Sequence, residues 1–172
     1  MIGLEKGLVR LAPYTPQWKR IFERERCSLE DVVGPYILDI QHVGSTSIPG
    51  MPAKPIIDIA IAVLDFEAAR VCIPLIETLG YVYKGEFGIP HRHYFVKGDP
   101  RTFHIHMSEV NSQEWLNTLL FRDYLRLHAD VAKEYAELKM QLALQYPQDR
   151  NAYLDAKAPF IQRVLQTARE TS

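Results

Sequence analysis

The nine residues His42-Val43-Gly44-Ser45-Thr46-Ser47-Ile48-Pro49-Gly50 lie between two strand-like runs, and how they are read decides the fold. Residues 36–43 read as a strand that leads into them. Residues 56–63 follow as a nearly continuous apolar run of strand length, the pattern of a strand buried on both faces. Residues 44–55, rich in Gly, Pro, Ser and Thr, form the loop between. Twelve residues separate Ser45 from Asp58, the charged residue that interrupts the apolar run. A Gly-Ser pair at a strand end lets the backbone approach a phosphate closely and supplies N–H and hydroxyl donors. A carboxylate inside an apolar strand is costly unless a metal, a Lys or an Arg pairs with it. Two phosphate and acyl-transfer motifs fail on spacing. Five residues separate Gly44 from Gly50 and Met51 follows, whereas a P-loop has four and then Lys. Neither Ser45 nor Ser47 is flanked by the two glycines of a nucleophile elbow.

Upstream, residues 8–11 read as a short strand ended by Pro13. Pro16 opens an amphipathic helix to about residue 33 that buries Trp18 and Phe22, and Gly34-Pro35 stops it. Downstream, Asp65 caps a helix ending at Gly80 and kinked by Pro74. Residues 93–97 and 102–107 read as a hairpin about Gly98-Asp99-Pro100. The remainder, residues 112–172, is helical: Ser112, Asp130 and Asp149 cap three helices, and Pro159 kinks the last. The stripe Tyr135, Leu138, Leu142 is core packing. The expected architecture is one α+β (α/β) domain over residues 1–172, with residues 112–172 as its helical C-terminal part.

Lys and Arg number 20 against 21 Asp and Glu, so a non-specific nucleic-acid coat is excluded, because that needs a strong positive excess. No apolar run reaches membrane-spanning length, and the N-terminus lacks the order of a signal peptide. The expectation is a cytoplasmic protein with reduced Cys27 and Cys72, no membrane partner and a small phosphorylated substrate; its oligomeric state is open.

Val43-Gly44-Ser45 and Asp58-Ile59 resemble the signature of the nucleotidyltransferase superfamily: hydrophobic-Gly-Ser, about a dozen residues, then Asp-hydrophobic-Asp/Glu. The chain is more closely similar to the GrpB-like family, a bacterial branch of that superfamily. The resemblance rests on four blocks in order: residues 42–50; Ala53-Lys54-Pro55-Ile56-Ile57-Asp58-Ile59; His104-Ile105-His106; and Phe121-Arg122-Asp123-Tyr124-Leu125-Arg126. Tyr153 and Lys157 also resemble the family's C-terminal helix. It implies a small mixed sheet flanked by helices and nucleotidyl transfer from a nucleoside triphosphate to an acceptor. Asp58 and Ser45 would be catalytic; Gly44, Ser45, Thr46 and Ser47 would hold phosphates. The second carboxylate of the signature falls at Ala60, which removes one ligand from any two-ion centre.

His104 and His106 lie two apart on a strand and share a face, so either can join Asp58 in holding a divalent ion: Mg or Mn by resemblance, Zn by the chemistry of His ligands. His91 and His93 at the hairpin start read as solvated. Lys54, restrained between Pro52 and Pro55, Arg122 and Lys157 are the candidate phosphate cations; Arg122 and Arg126 continue an apolar helix face and have a structural alternative through Asp123 and Glu109. Two other functions fit the same residues: a catalytically inactive nucleotide-binding or regulatory module, and a His-rich metal-dependent hydrolase.

Overall fold

The computed structural model of the protein describes residues 2–171. The apolar run becomes strand β2 (Ile57–Val63), pairing antiparallel with β1 (Asp39–Val43). Its side chains alternate in size. Ile57, Ile59, Ile61 and Val63 pack with Trp18 and Phe22, whereas Ala60 and Ala62 pack with Val43 and Trp115. Alternation across a strand therefore sends the bulk to one face and leaves the other shallow, with Asp58 at its start.

Three further strands complete a mixed sheet: β3 (Tyr81–Tyr83), β4 (Arg92–Lys97) and β5 (Phe103–Glu109), in the order β1-β2-β5-β4-β3. The β2–β5 pair is parallel and the others antiparallel. The deep face is covered by α1 (Gln17–Val33) and α2 (Cys72–Glu77), which contribute Trp18, Leu29, Cys72 and Ile76 to the main core. The shallow face meets α3 (Gln113–Leu127), against which α4 (Ala129–Gln145) and α5 (Arg150–Glu170) pack. These helices close a second core of Ile48, Met51, Leu125, Tyr135, Phe160 and Val164. The α+β expectation and the helical C-terminal part hold.

Local expectations fare unevenly. Ser112 and Asp149 cap α3 and α5 by accepting from Trp115 N and Ala152 N. His128, not Asp130, occupies the N-cap of α4, and Asp130 lies in its first turn. Residues 8–11 form no strand; Leu4 and Ala12 make isolated bridges instead, and Val9 N donates to Pro147 O. Residues 34–36 form a 3₁₀ turn, so β1 starts only at Asp39. The helix expected over 65–80 is a 3₁₀ turn followed by the six-residue α2, where Pro74 sits in the first turn and its missing N–H has no partner to lose. Pro159 lies inside α5, which continues through it to Glu170. Strand β3 carries no sequence signal long enough to have been read. Cys27 is exposed and Cys72 buried, both as free thiols. Among the described residues, no helix is long and apolar enough to cross a membrane.

The fit between Trp115 and the small residues of β2 sets how α3 sits on the sheet. Ala62→Leu inserts a branched side chain at a fully buried position, and overpacking of this kind costs about 1–3 kcal/mol. Urea denaturation should show that loss; unchanged stability would mean that the shallow face has slack.

Candidate functional site

Gly44 ends β1 with φ +71°, and a Cβ there would lie 2.6 Å from Asp58 Oδ2 and 3.0 Å from Asp58 Cβ. The position needs glycine for two separate reasons: left-handed backbone and direct contact with the carboxylate. The antiparallel register that sets Val43 opposite Asp58 makes that contact. On the other side of β2, the parallel register sets Asp58 beside His104 and Ala60 beside His106.

The Asp58 side chain is 30% exposed. His106 Nε2 lies 3.1 Å and His104 Nδ1 3.5 Å from its Oδ1. Burial alone would raise the Asp58 carboxyl, but hydrogen bonds from His104 and His106 outweigh it and hold the group well below the usual carboxylate range. The tautomer of His106 follows from its other nitrogen: Arg92 Nη1 stands 3.1 Å from His106 Nδ1. A guanidinium has only donors, so Nδ1 accepts and the ring proton sits on Nε2, donating to Asp58. Burial lowers His104, which is nearly enclosed, and its Nε2 has no partner among the described residues.

This arrangement does not fit the divalent ion that the resemblance implies. An ion on His106 would need the Nε2 lone pair, moving the proton to Nδ1 against the Arg92 guanidinium. His104 Nε2 points to the opposite side of its ring from Asp58. Asp58 is thus left with His104 Nδ1, 3.5 Å from its Oδ1, as its one further donor, and Ala60 supplies none. Among the described residues, no group of three His, Cys, Asp or Glu is placed to hold a metal.

The phosphate-loop candidates divide. Gly44, Ser45 and Thr46 line a cleft of about 700 Å³ between the shallow face and the C-terminal helices. Ser45 approaches Tyr135, whose phenol burial pushes above its ordinary range. The Thr46 hydroxyl is taken by His42 Nε2 at 2.9 Å, and Ser47 Oγ donates to Gly44 O at 2.5 Å, so both brace the turn. Arg122 belongs elsewhere: it donates to Asp123 Oδ1, Gln41 Oε1 and His42 O. Arg126 donates to Ser47 O. The pair staples α3 to β1 and the Gly-Ser turn, while Glu109 accepts from Phe66 N. His93 is fully buried, accepting from the Tyr83 hydroxyl and donating to Phe66 O, not solvated as its hairpin position suggested.

Lys54 and Lys157 do line the cleft, and both ammonium groups lie over the Tyr153 ring, at 5.2 and 4.6 Å. They are joined by Lys139, 1% exposed, which lies 4.9 Å from the Tyr135 ring centroid and donates to Pro52 O. Burial pushes all three down, Lys54 to about 8, Lys157 to about 7 and Lys139 to about 6; Arg150 adds to it at Lys54, Lys54 at Lys157, and both Lys157 and Lys54 at Lys139. Arg150 and Arg92 also line the cleft, against the acids Asp58 and Glu114. Lys139 and Arg150 carry no motif. The one signal for Lys139 was its place four residues after Tyr135 on an apolar helix face, where a lysine is out of pattern.

The GrpB protein family matches residues 8–167. The UPF0157 protein YqkA of Bacillus subtilis is 45% identical over 165 residues, 95% of this chain and 48% of that protein. The chain therefore spans about half the length of that relative. The crystal structure of conserved protein GrpB from Enterococcus faecalis superposes with TM-score 0.88 at 37% identity, covering 94% of this chain and 98% of that one. A structure of the Cid1 poly(U) polymerase, 15% identical, superposes with TM-score 0.52 over 77% of this chain and 44% of that one, so the fold is nucleotidyltransferase-like.

Two outcomes follow. Gly44→Ala combines backbone strain with a clash against Asp58, so it should lower the melting temperature and shift the His104 and His106 imidazole signals in NMR spectra; silent spectra would detach Gly44 from the carboxylate. The three lysines hold fewer protons folded than unfolded, since each folded value lies below 10.5. Stability of the ligand-free protein should therefore rise with pH between about 6 and 9, and a melting temperature that falls across this window would contradict it.

Proposed function

The chain belongs to the GrpB protein family, and on that premise we propose that it binds the phosphate chain of a nucleoside triphosphate, or of a similar phosphorylated small molecule, without a bound ion. The observation that carries this reading is the convergence of Lys54, Lys139 and Lys157 in one cleft, with Gly44 and Ser45 on its wall. Among the described residues their ammonium groups rest on tyrosine rings and a carbonyl, not on carboxylates. Burial leaves the three lysines short of their full charge, and a polyanion in the cleft favours their protonated forms and pairs with them. In the nucleotidyltransferase superfamily divalent ions neutralise the triphosphate; here the lysines take that place.

A protein of the same fold, the Cid1 poly(U) polymerase, is bound to MgATP in its solved structure, which makes nucleoside triphosphates the natural probes. Metal-dependent nucleotidyl transfer is supported by the fold and by the contact of Gly44 with Asp58. It is opposed by Ala60 and by the proton that Arg92 holds on His106 Nε2. A His-rich metal hydrolase meets the same obstacle. The geometry favours a binding or regulatory domain over either enzyme.

Calorimetric titration with ATP tests the proposal. Binding should persist in EDTA and weaken at least about tenfold in Lys157→Ala, the scale of losing a charge-assisted hydrogen bond. At 100 times its dissociation constant, the ligand should stabilise the protein by about 2.7 kcal/mol. Binding that needs Mg or Mn, or turnover of labelled nucleotide abolished in Asp58→Ala, would reinstate metal-dependent transfer. Absence of binding by any nucleoside triphosphate and by inorganic tripolyphosphate would remove the site.

A further inference from the structure

Residues 84–91, between β3 and β4, run along the rim of the same cleft, where Phe87 and Ile89 contribute to its lining. Phe87 is a large aromatic residue left 59% exposed. It also holds φ +50°, and His91 in the same loop holds φ +60°. Bulky side chains rarely adopt left-handed backbone, and such conformations persist only where the surroundings impose them. Here Arg92 imposes it. Its Nη2 donates to the carbonyls of Glu86 and Phe87, both at 3.2 Å, while Nη1 reaches His106. The His91 N–H donates to Glu86 Oε2 at 2.5 Å and closes the loop from the other side. Arg92 is itself only 5% exposed, and its guanidinium lies 4.5 Å from the Tyr94 ring centroid. The Phe87 ring stacks on Tyr94 at 5.2 Å with 22° between the planes.

An anchored loop thus holds an aromatic face in solvent at the edge of a cationic cleft. Folding gains one ring contact from this, with Tyr94, against a side chain left mostly in solvent and a left-handed backbone. We infer that Phe87, backed by Tyr94, is a stacking platform for a planar ring carried by the cleft's ligand. The ligand class then narrows from phosphorylated small molecules in general to those joining a phosphate chain to a heteroaromatic ring, as nucleotides do. The inference rests on the proposed phosphate reading and adds the ring to it. Stacking on an aromatic side chain tolerates any base, because every base has a π face. Arg92 acts as a positioning residue in this scheme, tying the platform to the His106–Asp58 end of the cleft.

The test compares inorganic tripolyphosphate with ATP, GTP, CTP and UTP by calorimetry, on the wild-type chain and on Phe87→Ala and Phe87→Trp. The wild type should bind the tightest nucleotide about tenfold more strongly than tripolyphosphate. Phe87→Ala should erase that difference and leave tripolyphosphate affinity unchanged. Phe87→Trp should preserve it, with a fluorescence change on adding nucleotide that neither tripolyphosphate nor the wild-type protein gives. Equal wild-type affinity for tripolyphosphate and nucleotides would overturn the platform while leaving the phosphate site intact. Equal loss of both ligands in Phe87→Ala would also overturn it, by showing that the ring merely supports the loop. If neither ligand class binds the wild type, both readings fall.

Discussion

The Arg92–His106–Asp58 chain is the constraint on which the candidate site depends. A guanidinium that can only donate meets one nitrogen of an imidazole, and the other nitrogen must then donate to the carboxylate. Asp58 is kept ionised by hydrogen bonds from two imidazoles and by a cation one ring away, not by direct contact with a lysine or an arginine. The same chain reaches the loop carbonyls beyond β3, so one buried arginine fixes both a tautomer at the sheet and a backbone conformation at the rim. The other oxygen of Asp58 stands over Gly44, which ties the end of β1 to the same group.

Around this chain the fold divides its work between two faces. The deep face is apolar and carries most of the core. The shallow face gives up packing, through Ala60 and Ala62, and takes the C-terminal helices at a distance that leaves a cleft. Ala60 is informative in two ways: it stands where the superfamily signature has its second carboxylate, and its methyl packs with Trp115. Loss of an ion ligand and closure of a helix contact are the same substitution. Positive charge enters instead from α4 and α5, as Lys139 and Lys157. These lysines lie far from the Gly-Ser turn in sequence, and their burial is tolerable only because tyrosine faces and a carbonyl receive the ammonium groups.

Much of the site was legible residue by residue. Gly44, Ser45, Asp58, His104, His106 and Lys54 were singled out on chemistry and Lys157 on the resemblance of its helix, and the structure brings all seven to one cleft. Arg122 was legible only as a cation on an apolar face; whether it met phosphate or protein depended on β1, whose Gln41 and His42 carbonyl claim it. Thr46 and Ser47 were read as phosphate donors because hydroxyls in a Gly-Ser loop are ambiguous, and the turn itself absorbs both. Lys139 was missed because its neighbours Tyr135, Leu138 and Leu142 marked the helix face as core, which it is.

The order of strand, glycine-bearing turn, strand and helical tail follows from the sequence alone, because period, caps and turn residues are local properties. The shared face of His104 and His106 follows from it too, since alternation along a strand requires no partner. Which groups meet across that face was decided by tertiary structure. Parallel register placed the histidines on Asp58, and only then did a third strand bring Arg92 to settle where the imidazole proton resides. The joining of three lysines from a loop and two helices belongs to the same level. Such convergence depends on packing angles and register, which no stretch of sequence encodes by itself.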